Sequence, residues 1–330
     1  MKAVVYTDYG SPDVLEIRDI QKPVPNDDQI LVKVRAAALN PLDWHYMEGT
    51  PYIMRAMGVG LRKPKSPRLG VDLAGEVEAV GKNVAQFKPG DQVFGTCVGA
   101  LAEYATCKSA RGMKSSLVIK PDNLTFEQAA AAPVAALTAL QGLRDKARIQ
   151  PGHKVLVNGA AGGVGTFAVQ IAKSFGANVT GVCSTRNVDM VRSIGADQVI
   201  DYTQQDFTKS GQRYDIVLDC VGNHSFSEWT RVLNPKGILV GVGAPPDVPL
   251  SRLLAGLIGA LVRSLFVSQK IAIFVARVNQ QDLTTVGDLM AVGKVTPVID
   301  RHYRLSEARE AFRYMELGHA RGKVIITPEY

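Results

Sequence analysis

The chain is poor in the features that mark several large classes of protein. Its four cysteines, Cys97, Cys107, Cys183 and Cys220, are scattered, with no C-x-x-C pair and no Cys/His group at metal-ligand spacing. Neither a disulfide framework nor a structural zinc lobe is therefore expected. No apolar run approaches the roughly 18 to 20 uninterrupted residues that spanning a bilayer requires, because the most apolar stretch, Leu250 to Val278, is broken by Arg252, Arg263, Lys270 and Arg277. Within it Leu253, Leu254, Leu257, Ile258 and Leu261 fit one helical face, which reads as a core or dimer-contact helix, a substrate-site wall, or an anchor on a membrane surface. Internal repeats and low-complexity segments are missing too. A formal charge of +7 over 330 residues comes without a nucleic-acid face. The densest basic stretch, Arg62-Lys63-Pro64-Lys65-Ser66-Pro67-Arg68, holds prolines and no aromatics to stack on bases. It reads as a solvated loop, with attraction to an anionic membrane surface or to cofactor phosphates as the alternatives.

What is present is ordinary globular composition, 46% hydrophobic and 21% charged, over a length that predicts two domains. The chain opens directly on an apparent strand, Lys2-Ala3-Val4-Val5-Tyr6, which leaves no room for a targeting segment, so a cytoplasmic location is the expectation. Short β-type runs punctuated by Gly and Pro follow up to about residue 120: Leu31 to Ala36, Ala74 to Val80, Gln92 to Gly95, Ala102 to Thr106 and Leu117 to Lys120. An alanine-rich helix, Thr125 to Arg144, capped by Thr125 or Asn123 and interrupted only by Pro133, marks the join. Strands then alternate with helices, near 154–158, 178–183, 198–201, 215–220 and 237–243, the texture of a parallel doubly wound sheet. The tail, from about Val295, returns to short apolar runs around an amphipathic helix, Ser306 to Leu317. The expected division is 1–122 with 295–330 for a β module, and 123–294 for the α/β domain.

The most informative stretch is Val155-Leu156-Val157-Asn158-Gly159-Ala160-Ala161-Gly162-Gly163-Val164-Gly165, a buried strand, a glycine turn and the start of a helix. Val164, Phe167, Ala168, Ile171, Ala172 and Phe175 give that helix one apolar stripe to lay on a sheet. Unpaired N–H groups and the positive end of the helix dipole meet at the turn, where a pyrophosphate can sit on Ala161, Gly162, Gly163, Val164 and Gly165. A second strand at a βαβ unit's distance supplies the context that a dinucleotide-binding motif needs. That strand ends Cys183-Ser184-Thr185-Arg186-Asn187, with no acid for a ribose diol. Ser184, Thr185 and Arg186 instead suit a 2′-phosphate, so the expected cofactor is NADPH.

Several fragments together resemble the medium-chain dehydrogenase/reductase superfamily, in its zinc-free quinone oxidoreductase-like branch. They are Asn40-Pro41-Leu42-Asp43, Gly70-Val71-Asp72-Leu73-Ala74-Gly75-Glu76-Val77, Lys88-Pro89-Gly90-Asp91-Gln92-Val93-Phe94-Gly95, Leu137-Thr138-Ala139, Ala160 to Gly165, Asp219-Cys220-Val221-Gly222 and Gly322-Lys323, in this order across nearly the whole chain. The resemblance implies an α/β protein with a GroES-like β-barrel domain beside a Rossmann domain, and a homodimer. It places the zinc ligands of the metal-dependent members at Asn40, Val71-Asp72 and Val134, which form no credible zinc set. Without a Lewis acid, the chemistry left to NADPH is hydride delivery to an already electrophilic small molecule, a quinone or an enone. By the same resemblance Asn40 and Thr138 lie beside the nicotinamide, Val242, Gly243 and Ala244 form its backbone edge, Tyr202 takes the adenine side, and Val221, His319, Arg321 and Lys323 are cofactor contacts. Where related reductases carry a Tyr after the Asn-Pro-x-Asp motif, this chain has His45, with Tyr46 next to it. The proton donor is His45, Tyr46 or solvent. Two other functions remain open from sequence: reduction of ordinary aldehydes and ketones, and non-catalytic NADPH binding as a sensor or peripheral membrane protein.

Overall fold

The computed structural model describes residues 1–52, 55–108, 116–243, 259 and 267–329. It contains two compact units, Met1–Leu137 with Arg277–Gly293 and Pro297–Tyr330, and Thr138–Ala276 with Lys294–Thr296. The first begins with a short antiparallel pair, β1 (Lys2–Val5) and β2 (Glu16–Asp19). Strands β3 (Gln29–Ala38), β4 (Asp72–Val80), β5 (Gln92–Thr96), β6 (Tyr104–Lys108) and β7 (Ser116–Ile119) follow, with helix α1 (Pro41–Glu48) between β3 and β4. The β3–β4 ladder carries register shifts between Leu31 and Val32 and between Val34 and Ala36. Such irregularities bend a strand and let a sheet curl over its own core. That core holds Val4, Ile30, Val32, Leu73, Val93, Leu101, Leu117 and Phe312, all buried.

Pro133 breaks the alanine-rich segment into α2 (Phe126–Ala131) and α3 (Pro133–Gln141), as an imino acid without an N–H must. Thr125 caps α2 by accepting from the Gln128 N–H, while Asn123 donates to the Ala291 carbonyl instead. The boundary expected after residue 122 falls later, inside α3. The reason is packing: Ala129, Ala130 and Ala131 are buried, and their helix lies on β3, β4 and β5 of the first unit.

The second unit holds β8 (Lys154–Asn158), α4 (Gly163–Ser174), β9 (Asn178–Cys183), α5 (Val188–Ser193), β10 (Gln198–Asp201), β11 (Tyr214–Asp219), α6 (Phe226–Val232), β12 (Leu233–Gly241) and β13 (Lys270–Ile273). Its six strands run β10-β9-β8-β11-β12-β13, every pair parallel, which is a doubly wound order built outward from β8. β13 lies within the apolar Leu250 to Val278 stretch, beyond the helical face expected at Leu253 to Leu261, and it forms the sheet edge. The helical face proposed at Leu253 to Leu261 lies outside the described residues. Among the described residues, no helix is long and apolar enough to cross a membrane. Trp229, fully buried, packs against a tilted Phe207 and edge-on against His224.

The chain then returns to the first unit through α7 (Gln280–Ala291), β14 (Ile299–Arg304), α8 (Ala308–Glu316) and β15 (Lys323–Thr327). The helix α7 packs on β7, so it joins the first unit although the expected boundary put it in the second. β15 pairs antiparallel with β3 and parallel with β14, completing a seven-stranded sheet in which β6 also pairs β3. The helix expected over Ser306 to Leu317 is shortened to α8 by a 3-10 turn, Leu305–Glu307.

Candidate active site

In the second unit the residues assigned to the cofactor gather at one edge. The segments following β8, β9, β10, β11 and β12 carry Ala161 to Gly165, Ser184 to Arg186, Tyr202, Val221, and Val242 with Gly243. These are the carboxyl ends of parallel strands, where open α/β sheets bind their ligands. Ala244 lies outside the described residues. At the glycine turn Gly159 has φ +81°, which a side chain would strain. Its N–H and that of Ala160 both donate to the Val182 carbonyl. A Cβ on Gly165 would stand 2.1 Å from the Gly159 oxygen, so only glycine lets the helix start this close to the turn. The Ala160 methyl is accommodated because it faces bare Gly181 on β9, whose own Cβ would meet it at 3.0 Å. The N-cap of α4 is Gly162, and no side chain caps it. Its first-turn amides are thus left for an anion, and the turn fits a pyrophosphate.

Asp219, at the end of β11, organises the next loop. Its buried carboxylate accepts from Asn158 Nδ2 at 2.9 Å and from the N–H groups of Val221 (3.1 Å) and Gly222 (2.9 Å). The Val242 and Gly243 amides donate to the Asp219 carbonyl. Neither Asn158 nor Asp219 stands out in the sequence as a site residue, since each looks like the polar end of a strand. Beyond β9, Thr185 and Arg186 are exposed, and Asn187 donates from Nδ2 to Ser184 Oγ at 3.2 Å. Tyr202 is 59% exposed, its N–H bonded to the Cys183 carbonyl. Thr138 is half-buried on α3.

The first unit contains a buried ionic network. Asn40, between β3 and α1, is 2% exposed. Its Oδ1 accepts from Lys323 Nζ at 2.5 Å, and its Nδ2 donates to Asp72 Oδ2 at 2.9 Å and weakly to the Ala38 carbonyl at 3.4 Å. Lys323 Nζ stands 3.5 Å from Asp72 Oδ2, and Asp72 also accepts from the Val134 N–H. Asp43, three residues into α1, accepts from the Asn40 N–H at 2.9 Å, and the Gly70 backbone also faces its buried carboxyl. Burial raises the Asp43 carboxyl to about 7, with the Asp72 charge adding to the effect. Burial also raises Asp72 and lowers Lys323, against the pull of each on the other.

Lys323, assigned to the cofactor from sequence, is thus committed to Asn40 and Asp72. Asn40 has both amide hydrogens engaged and serves as a tie between β4, β15 and α1. His319 and Arg321 are exposed, and the Arg321 N–H donates to Asp300 Oδ2, which also takes the Tyr314 hydroxyl. On α1, His45 and Tyr46 are half-buried. Burial lowers the His45 pKa, and its Nδ1 is buried without a partner, so the ring is neutral at physiological pH. Burial and the nearby Asp43 raise Tyr46, which keeps its phenolic proton.

A parallel nucleotide-type sheet in one unit and a mixed, irregular sheet with this network in the other are the architecture of two-domain pyridine-nucleotide oxidoreductases. Residues 26–141 match the family model for the alcohol dehydrogenase GroES-like domain, and residues 194–326 the model for zinc-binding dehydrogenase. The chain is 36% identical to the 2-methylene-furan-3-one reductase of Solanum lycopersicum, over 99% of this chain and 79% of that protein. It is 35% identical to the chloroplastic NADPH-dependent alkenal/one oxidoreductase of Arabidopsis thaliana, covering 99% and 80%. Among solved structures, the quinone oxidoreductase from Coxiella burnetii superposes with a TM-score of 0.85 at 31% identity, covering 99% of both chains. The chain belongs to the medium-chain dehydrogenase/reductase superfamily, in its quinone oxidoreductase-like branch.

The words zinc-binding in that family description invite a test of the residues. A zinc site needs three or four N, S or O donors around one point. Here Asn40, Val71-Asp72 and Val134 supply one carboxylate, and an ammonium already stands 3.5 Å from it. Among the described residues, no group of three or more His, Cys, Asp or Glu gathers. This donor set does not fit zinc.

Proposed function

We propose that this chain is an NADPH-dependent, zinc-independent reductase that delivers hydride to quinones or α,β-unsaturated carbonyls. The observation that carries the reading is the Lys323 ammonium held between Asn40 and Asp72, which leaves no donor set at that position for a metal to activate an alcohol or an unpolarised carbonyl. The acceptor must then be electrophilic already, as a quinone or the β-carbon of an enone is. The names of the relatives, an alkenal/one oxidoreductase, a 2-methylene-furan-3-one reductase and a quinone oxidoreductase, support the same acceptor class.

The glycine turn would hold the pyrophosphate, and Ser184, Thr185 and Arg186 the 2′-phosphate. NADPH supplies the hydride from its nicotinamide ring when bound. The protein's remaining task is to position the acceptor and hold a proton donor beside the developing enolate oxygen. Tyr46 is the candidate for that role, since a phenol carries its proton at neutral pH, although burial and Asp43 raise its pKa and so make it a weaker acid. His45, neutral at physiological pH, is a neighbouring hydrogen-bonding group rather than a cationic acid.

The test follows NADPH oxidation with quinones, alkenals and saturated aldehydes, with and without a zinc chelator. Chelator-insensitive turnover of the first two groups is expected, with a drop of about 10²-fold or more in kcat for Tyr46→Phe on alkenals. Turnover of saturated aldehydes alone, or loss of activity on chelation, overturns the reading. Tight NADPH binding with no acceptor reduced would indicate a sensor instead.

A further inference from the structure

The strand next to the Ser184–Asn187 turn supplies the acid that β9 lacks. β10 ends at Asp201, which pairs in register with Cys183, the last residue of β9. Its carboxylate faces the turn: Oδ2 accepts from Thr185 Oγ1 at 2.6 Å, and Oδ1 from the Thr203 N–H at 2.9 Å and Oγ1 at 2.7 Å. The two threonine oxygens lie 2.9 Å apart. These donors hold Asp201 below the ordinary carboxylate range, so it is anionic at neutral pH. A hydroxyl has one proton, and that of Thr185 is spent on Asp201. One of the donors assigned to a 2′-phosphate is thus engaged, and a fixed negative charge stands beside its seat.

We propose that Asp201 sets the preference of this site between NADPH and NADH, by repelling the 2′-phosphate of the first and offering acceptor oxygens to the ribose hydroxyls of the second. Selectivity is then a balance between Arg186 and Asp201 rather than the work of Arg186 alone. The inference rests on the reading that the glycine turn binds a nicotinamide dinucleotide. Repulsion between solvent-exposed charges is modest and screened by salt, which puts the effect at about three- to tenfold in affinity.

The experiment titrates NADPH and NADH against the wild-type chain and Asp201→Asn by quenching of intrinsic fluorescence, at low salt and at high salt. The Asn side chain keeps one acceptor oxygen and loses the charge. NADPH affinity should rise three- to tenfold at low salt, NADH affinity should hold or fall, and the NADPH gain should shrink at high salt. Asp201→Ser removes the charge by a different route and must move the ratio the same way. Equal changes for both dinucleotides, or an unchanged ratio in both variants, overturn the proposal. A wild-type chain that binds neither dinucleotide overturns the cofactor reading beneath it, a distinct result.

Discussion

Replacing Lys323 by methionine tests whether the buried network holds the first unit together. Lys323 is 3% exposed on β15, and Met has a similar length without the charge. The variant leaves Asp72, itself fully buried, with hydrogen bonds from Asn40 and the Val134 amide but no counter-charge. Removing one partner of a buried ion pair costs about 3–5 kcal/mol, because the other charge stays behind unpaired. The two hydrogen bonds that remain place the loss near the lower end, about 3 kcal/mol. With about 2–4 °C per kcal/mol for a unit of this size, the expected fall in Tm is roughly 6–12 °C.

Two controls separate this account from simple loss of packing. Protonating Asp72 removes the unpaired charge, and burial already raises its pKa, so Lys323→Met should cost less at pH 5 than at pH 8. The double variant Lys323→Met with Asp72→Asn removes both charges of the pair, and at pH 5, where Asp43 also keeps its proton, it should recover to within about 1 kcal/mol of the wild type, since a buried pair is worth little against a neutral replacement. Urea unfolding at both pH values, followed by circular dichroism with each unit's transition fitted separately, gives the numbers. A loss under about 1 kcal/mol in the single variant, or a double variant no better than the single, would refute the reasoning.

Two further outcomes are expected. Gly165→Ala places a methyl 2.1 Å from the Gly159 oxygen and 2.8 Å from Ala160 Cα, so the turn must open; a loss of at least about tenfold in NADPH affinity is expected by fluorescence titration, with about 1–3 kcal/mol of destabilisation. Asp43, raised to about 7 by burial, holds its proton in the fold at pH values where the unfolded chain has released it. Its contribution to stability is therefore fully present below about pH 4 and lost as pH rises through 7, a change of roughly 4 kcal/mol. Asp43→Asn should flatten that fall between pH 4 and 8 in urea unfolding, and an unchanged slope would count against the buried carboxyl as its source.

How legible each part was depends on how local its signal is. The strands β8, β9 and β10 and the glycine turn are written in contiguous residues, as apolar runs, a positive-φ glycine and a helical stripe, and the structure places them where periodicity does. β13 was missed because a short apolar strand inside a longer apolar stretch has no period of its own to separate it from a helix. Asp201 is hidden from sequence for another reason: it ends the third strand of this sheet, and the register that sets it against Cys183 exists only once the strands pair. The network is the least legible part. Asn40 meets a carboxylate 32 residues away and an ammonium 283 residues away, contacts that no local pattern encodes.

The charges of that network also explain its protonation state. Asp43, Asp72 and Lys323 share one low-dielectric region, and with all three ionised it would carry a net negative charge away from water. A region with one ammonium and two carboxyls reaches neutrality by keeping one proton. Asp43, raised to about 7, is the carboxyl that takes up a proton more readily: it has backbone donors only, whereas Asp72 has the Asn40 amide, the Val134 N–H and the ammonium beside it. The raised Asp43 and the paired Asp72 are thus one arrangement, in which the cation is covalently part of β15. A metal bound at this point would bring two positive charges to a region that one ammonium already balances, the electrostatic counterpart of the missing ligands.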